Sequence, residues 1–281
     1  MGALAVSLAS RLPLPLLDAI RSWSELSHEE AVVRAAAREG MVPPQFMWGM
    51  VGAPDNKFVE QGRAFSEYLI EHGRLTPESS VLDIGCGLGK YALHLAPFLG
   101  GGRLEGFDVE KRSIDWCRMA ITPRYPHARF RHTPLKSDMY SPKATASAAE
   151  FAFPYGSGQF DLAFLASVFT HMFTDDVDNY IREIARVLKP GGRCISTMYL
   201  LNDEKRAGVA AGTAAFTFSI DHGGCWIERP NPPEAAVAYE EPAILAMFER
   251  AGLHVAEPVR YGCWATQGEQ DQDFLILEKR G

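Results

Sequence analysis

Three glycines set behind an acid are the first residues whose spacing can do chemistry. Val81-Leu82-Asp83-Ile84-Gly85-Cys86-Gly87-Leu88-Gly89-Lys90 reads as a buried strand, a glycine-rich turn and the start of a helix. Glycines let the backbone approach a ligand closely at the carboxyl end of a strand, where nucleotide cofactors bind open α/β sheets. Two cofactor classes compete for such a turn. A dinucleotide wants G-x-G-x-x-G, with its pyrophosphate on the helix N-terminus. Gly85 and Gly87 fit that spacing, but Lys90 takes the third place and the last glycine falls at Gly89. Asp83 would also repel a pyrophosphate, whereas it suits a cofactor bearing an ammonium and a sulfonium. Asp108 lies 19 residues beyond Gly89, in Gly106-Phe107-Asp108-Val109. A carboxylate ending the second strand can accept hydrogen bonds from both ribose hydroxyls, a device common to both classes.

Candidates for proton transfer lie further on. His171 follows a fourth strand, at the mouth of such a site, and imidazole titrates in the range suited to taking a proton from a hydroxyl. The alternative for His171 is packing beside the cofactor or capping the next helix. Asp221 and His222 are weaker candidates of the same kind. Cys86 stands in the turn itself and is not read as a nucleophile. The five cysteines are widely spaced, with no C-x-x-C pair and no zinc pattern, which fits reduced thiols in a cytoplasm. No metal site is expected.

The elements that must position these groups follow a simple rhythm. Short apolar runs at 81–84, 103–107, 128–132, 160–166 and 193–199 read as strands, with helices at 89–99, 111–121 and 174–188. Apolar runs joined by helices imply a parallel sheet covered on both faces. Two last strands, at 254–260 and 273–279, have no crossover helix between them, which allows an antiparallel edge strand. The stretch 140–159 reads as a loop with at most a short turn. The stretch 200–240 reads as an irregular insertion, with Pro230-Asn231-Pro232-Pro233 inside it and Pro242 opening the helix that closes at Gly252.

Ahead of the sheet comes a helical arm, with a capping box at Ser27-His28-Glu29-Glu30, a helix stopped by Gly40, and a second helix over 55–72. Residues 1–75 are thus expected as an arm or cap, and 76–281 as the main domain. Phe46, Met47, Trp48 and Met50 are read as core packing rather than pocket wall, and so are Trp226, Tyr239 and Trp264.

Composition narrows the class. The 281 residues are 47% hydrophobic and 22% charged, which excludes disorder and low-complexity classes. With 28 basic against 35 acidic residues, the formal charge of −7 lacks the footprint of a general nucleic-acid binder. The apolar start, 1–17, has no basic leader and is broken by Arg11, Pro13 and Pro15, so neither a signal peptide nor a membrane span is expected.

Taken together, the turn at Gly85–Gly89, Asp108, the run Phe160-Asp161-Leu162-Ala163-Phe164-Leu165-Ala166-Ser167-Val168-Phe169-Thr170-His171 and the corner Arg186-Val187-Leu188-Lys189-Pro190-Gly191-Gly192 resemble a class I S-adenosylmethionine-dependent methyltransferase. The resemblance implies a Rossmann-like α/β fold: a seven-stranded sheet, mostly parallel, with its last strand antiparallel. It also implies roles for residues. Asp83 and the backbone of Gly85, Cys86, Gly87 and Gly89 would hold the methionine portion, and Asp108 the ribose. Val109, Asp138 and Met139 would meet the adenine, and Ala166 and Ser167 would line the cofactor. A further likeness, in Phe151-Ala152-Phe153-Pro154-Tyr155, 167–172 and 200–204, is to bacterial small-molecule methyltransferases, some of sugar and polysaccharide pathways.

The expected function is methyl transfer to a small molecule, first of all to a hydroxyl, with no nucleic-acid or membrane partner and with homodimerisation left open. Two alternatives stand beside it: a cofactor-binding partner protein without turnover, and an NAD(P)-dependent oxidoreductase.

Overall fold

The computed structural model describes residues 29–51, 57–266 and 271–280; the apolar start and the Ser27 side of the capping box lie outside the described residues. Five parallel strands, β1 (Ser80–Ile84), β2 (Arg103–Asp108), β3 (Ala128–His132), β4 (Phe160–Leu165) and β5 (Leu188–Leu201), stand in the order β3-β2-β1-β4-β5. Their side chains alternate between two apolar layers. Leu82, Ile84, Ala163 and Leu165 enter one layer, while Val81, Leu162 and Phe164 enter the other. Both faces are therefore buried, which is why these strands read as continuous apolar runs.

Helices fill the two faces by sequence order. Residues 29–39 (α1), α2 (Phe58–His72), α3 (Ala92–Phe98) and α4 (Lys111–Ala120) supply Val33, Leu69, Leu95 and Ile114 to the second layer. The helices α5 (Thr174–Val187) and α7 (Glu241–Arg250) supply Ile181 and Phe248 to the first. Gly40 ends α1, its N–H donating to the Ala36 carbonyl. The helix expected over 89–99 begins only at Ala92, because Gly85, Gly87 and Gly89 hold φ of +73°, +48° and +73°, outside the helical region.

The sheet has ten strands rather than the expected seven, because the insertion adds three to the seven that the body and the end of the chain supply. β10 (Asp273–Lys279) runs antiparallel between β5 and the short β9 (Leu253–Val255), so the last strand is antiparallel and β9 forms the edge. β9 stops five residues short of the expected 260.

The insertion carries more structure than its punctuation suggested. Asn202 caps α6 (Asp203–Ala210), its side chain accepting the Lys205 N–H at 2.9 Å, and two acids occupy the first turn. A hairpin of β6 (Ile220–Asp221) and β7 (Trp226–Ile227) leads to β8 (Val237–Glu240), which pairs in parallel with the tail of β5, Tyr199 to Leu201. These strands are too short for a period of two to register in sequence. Lys205 is 2% exposed and lies 3.3 Å from the fully buried Asp273, anchoring α6 to the start of β10. Tyr239 and Trp264 are buried, as expected of packing residues.

The arm docks on the exit of the glycine turn. Trp48 stacks on Phe58 at 5.4 Å, and Met47 is buried beside them. Gly62 of α2 comes so close to the turn that a Cβ there would stand 2.7 Å from the Lys90 carbonyl oxygen. Ser66 Oγ donates to the Gly62 carbonyl at 2.7 Å and reaches that of Tyr91 at 3.3 Å.

Candidate active site

A cleft of about 1240 Å³ opens at the carboxyl ends of the strands. Single-ligand pockets run to roughly 300–1,000 Å³, so there is room for a cofactor and a second molecule. Its walls include Gly85, Cys86 and Gly87 of the turn, Asp108 and Val109 after β2, Ala166, Ser167 and His171 after β4, and Glu234 of the insertion. Gly49 and Gln61 of the arm also reach it.

Asp108 is held by the backbone around it. Its Oδ2 accepts the Gly87 N–H at 2.8 Å and its Oδ1 the Glu110 N–H at 2.8 Å. Each carboxylate oxygen retains accepting capacity beyond one such bond. Burial raises its pKa, against the lowering pull of these two N–H groups. Behind the turn, Asp83 is 1% exposed, and its Oδ2 has no hydrogen-bond partner among the described residues. Burial pushes this carboxyl well above the usual range, with Asp108 adding to the shift and Lys90 opposing it. An orphaned carboxylate beneath the turn, with Asp108 beside it, makes a place for a cation, not for a pyrophosphate. The residues present thus fit a cofactor with an ammonium, a sulfonium and a ribose.

The remaining expected residues divide. Cys86 lines the cleft, its thiol pushed well up by burial. Gly89 lies off the lining, where a Cβ would meet the Ile121 Cδ1 at 2.5 Å; its lack of a side chain serves packing. Met139 lines the cleft, but Asp138 does not: its carboxylate is exposed and paired with Lys136, while its N–H donates to Glu234 Oε2 at 3.0 Å. Ser167 sits at φ +58° with its N–H on Thr197 Oγ1 at 2.8 Å and its Oγ accepting from Gln272 Nε2 at 2.7 Å. Asp221 ends β6 and His222 opens the β6–β7 turn, both away from the lining. Asp221 accepts the Gly223 N–H there, and His222 packs on Phe173 at 4.5 Å.

His171 is on the wall, in the turn Phe169–His171, with its ring edge against Tyr140 at 5.6 Å. Its Nδ1 lies 2.8 Å from the Glu234 carbonyl oxygen. A carbonyl only accepts, so Nδ1 carries a proton, and in the neutral ring Nε2 is left as an acceptor. Burial lowers its pKa below the ordinary histidine value, with the Glu234 carbonyl and carboxylate opposing, which favours the neutral ring.

Glu234, Tyr140, Asp176, Tyr180 and Gln272 also line the cleft and escaped sequence reasoning. Burial raises the pKa of Asp176 and of Tyr140. The signal for Glu234 was its place directly after a proline run, which fixes backbone. Among the described residues, no group of three or more His, Cys, Asp or Glu is arranged to hold a metal, and no helix is long and apolar enough to cross a membrane.

The sheet order, the left-handed glycine turn at its first strand and the acid at its second define an α/β domain that binds a nucleoside cofactor at its strand ends. Residues 82–196 match the family described as Methyltransferase domain. Methyltransferase GfsG of Streptomyces halstedii is 32% identical over 134 residues, covering 48% of this chain and 42% of that protein. O-methyltransferase cnsE of Penicillium expansum is 27% identical over 130 residues, covering 43% and 39%. The chain thus spans less than half the length of these relatives. Among solved structures, the Burkholderia thailandensis 1,6-didemethyltoxoflavin-N1-methyltransferase, with bound 1,6-didemethyltoxoflavin and S-adenosylhomocysteine, aligns over 90% of each chain at 17% identity and a TM-score of 0.53. Over residues 82–196 the chain thus matches a methyltransferase domain, and this match together with the residues of the cleft supports S-adenosylmethionine as the cofactor.

Proposed function

We propose that the protein methylates a hydroxyl of a small molecule, with His171 as the base. The carrying observation is the Nδ1 bond of His171 to the Glu234 carbonyl, which leaves Nε2 as an acceptor on the wall of the cleft. S-adenosylmethionine, when bound, supplies a methyl group made electrophilic by its sulfonium.

The chain's own residues do the rest. Asp108 takes the ribose hydroxyls, the backbone of Gly85, Cys86 and Gly87 receives the methionine end, and Asp83 provides negative potential behind it. The arm and the insertion flank the cleft and exclude water, so that the hydroxyl is held in line. Positioning of this kind supplies roughly 7–11 kcal/mol of barrier lowering. Nε2 of His171 accepts the hydroxyl proton as the oxygen attacks, adding about 10²–10⁴-fold.

A sugar or natural-product hydroxyl is the narrower reading. Its support is the aromatic walls of Tyr140, Tyr199 and Phe216, which suit a ring, and the name O-methyltransferase carried by cnsE. The Burkholderia protein is named for a nitrogen acceptor, so the test includes amines. A polyanion such as RNA or DNA is disfavoured: among the described residues of the lining, the carboxylates of Asp108, Glu110, Asp176, Glu234 and Asp271 outnumber the cations Lys90 and Lys136, with no arginine beside them.

The test begins with a thermal-shift titration using S-adenosylhomocysteine, beside NADPH, on wild type and Asp108→Ala. Ligand at 100 times its Kd adds about 2.7 kcal/mol. A shift with S-adenosylhomocysteine that Asp108→Ala weakens is expected; a shift with NADPH alone would sink the reading. Transfer of labelled methyl to a panel of neutral alcohols, sugars and amines then identifies the acceptor. Cofactor binding with no product across the panel would favour a partner protein without turnover.

A further inference from the structure

Glu234 joins three parts of the molecule. It sits 9% exposed in the single turn Pro233–Ala235 of the insertion. Its carbonyl accepts from His171 Nδ1 at 2.8 Å. Its carboxylate Oε2 accepts from Ser137 Oγ at 2.7 Å and from the Asp138 N–H at 3.0 Å, both on the loop after β3 and nearly a hundred residues away in the chain. We propose that Glu234 is the positioning residue that keeps His171 in the tautomer protonated on Nδ1, by clasping its own backbone carbonyl to the loop after β3.

The physical need for such a clasp is specific. A neutral imidazole free in water favours the proton on Nε2, the wrong form for a base acting through Nε2. Reversing that preference takes an acceptor fixed at Nδ1, since the bond made by one ring nitrogen decides the state of the other. A backbone carbonyl in a surface insertion is a poor fixture unless its own residue is tied down. The Glu234 carboxylate supplies that tie through two hydrogen bonds to a charged acceptor, each about twice as strong as a neutral one.

The other half of the bond is anchored independently. The Tyr239 hydroxyl of β8 lies 2.6 Å from the Met172 carbonyl oxygen and 3.1 Å from that of Phe169, bracketing the turn that carries His171. Both ends of the Nδ1 bond are therefore set by the insertion. One end is held through Tyr239 and the other through Glu234.

The inference deepens the reading of His171 as the base, but its readout does not depend on turnover. The experiment uses the full chain labelled with ¹⁵N in histidine, at a pH where His171 is neutral. Long-range ¹H–¹⁵N correlation distinguishes a protonated from a bare ring nitrogen, and loss of the signals in His171→Asn assigns them. Wild type is expected to show Nδ1 protonated and Nε2 bare. Glu234→Gln keeps an oxygen that both donors can reach and should keep that pattern. Glu234→Ala should move the population toward the Nε2-protonated form, and Ser137→Ala should do so in part.

Melting curves and S-adenosylhomocysteine shifts show whether each variant is folded. Should Glu234→Ala not fold, wild type and Ser137→Ala still decide. A wild-type ring protonated on Nε2 overturns the proposal, as does an unchanged tautomer in folded Glu234→Ala. A tautomer that moves in Glu234→Ala, beside unimpaired transfer in His171→Asn, would uphold the role of Glu234 and remove His171 as the base.

Discussion

Exchanging Asp83 for asparagine should separate cofactor binding from stability. The carboxyl is 1% exposed with one oxygen lacking a hydrogen-bond partner among the described residues, so ionising it in the ligand-free protein is costly and Lys90 offsets only part of that cost. An unsatisfied buried group costs about 1–3 kcal/mol, more when charged. Asp83→Asn removes the charge at nearly constant volume, and the ligand-free variant should gain on the order of 1–3 kcal/mol at neutral pH. At roughly 2–4 °C per kcal/mol for a chain near this size, the melting temperature rises measurably.

The sign with pH follows from the raised pKa. A carboxyl whose folded pKa exceeds its unfolded value, about 3.9, contributes its stability below the unfolded value and loses it as pH rises through the folded one. The advantage of Asp83→Asn should therefore be small near pH 4 and grow to a plateau above the folded pKa. Binding should move the opposite way. Losing a charge near the ammonium, which S-adenosylhomocysteine keeps although it lacks the sulfonium, costs about 1–2 kcal/mol, a Kd weakened about tenfold. Paired melting curves from pH 4 to 8, with and without S-adenosylhomocysteine, measure both. An Asp83→Asn variant that melts lower than wild type at neutral pH, or binds S-adenosylhomocysteine as tightly, would refute the argument.

Asp108→Ala should abolish most of the S-adenosylhomocysteine shift, because it removes the proposed ribose acceptor and frees the Gly87 and Glu110 N–H groups together. His171→Asn retains a donor toward the Glu234 carbonyl but no base; a fall in kcat of roughly 10²–10⁴-fold with unchanged cofactor affinity is expected in single-turnover assays. In wild type, kcat/KM should rise with pH through a midpoint below the ordinary histidine value near 6.5 and then level off, since burial lowers the His171 pKa and only the neutral ring accepts a proton. Gly62→Ala would place a Cβ 2.7 Å from the Lys90 carbonyl oxygen, lowering stability by about 1–3 kcal/mol and loosening the arm from the turn, read as a lower melting point and faster proteolysis. Lys205→Met leaves Asp273 buried without its counter-charge; a loss of about 3–5 kcal/mol is expected in denaturant unfolding, partly restored by adding Asp273→Asn.

The glycine turn and the acids beside it were legible because they are local. Asp83, the three glycines and Asp108 lie at strand ends, and the backbone they need is determined by residues next to them in the chain. Period and punctuation also sufficed for the five parallel strands and the antiparallel last one. Family likeness alone suggested Asp138, and the structure turns that side chain outward to Lys136, leaving its neighbour Met139 on the wall. Asp221 and His222 had suitable chemistry, but they lie at a hairpin turn whose direction depends on how β7 pairs with β8.

Composition, period and spacing by themselves thus determined the layered α/β sheet and the glycine turn at its first strand, since those depend on burial and backbone conformation over a few residues. The tertiary structure alone decided what surrounds His171. Glu234 lies 63 residues after it and Tyr239 lies 68 residues after it. They meet His171 and its turn because the insertion folds back along the tail of β5. Hydrogen bonds between segments so distant in the chain carry no periodic signal. They exist only once the sheet has brought the strand ends together.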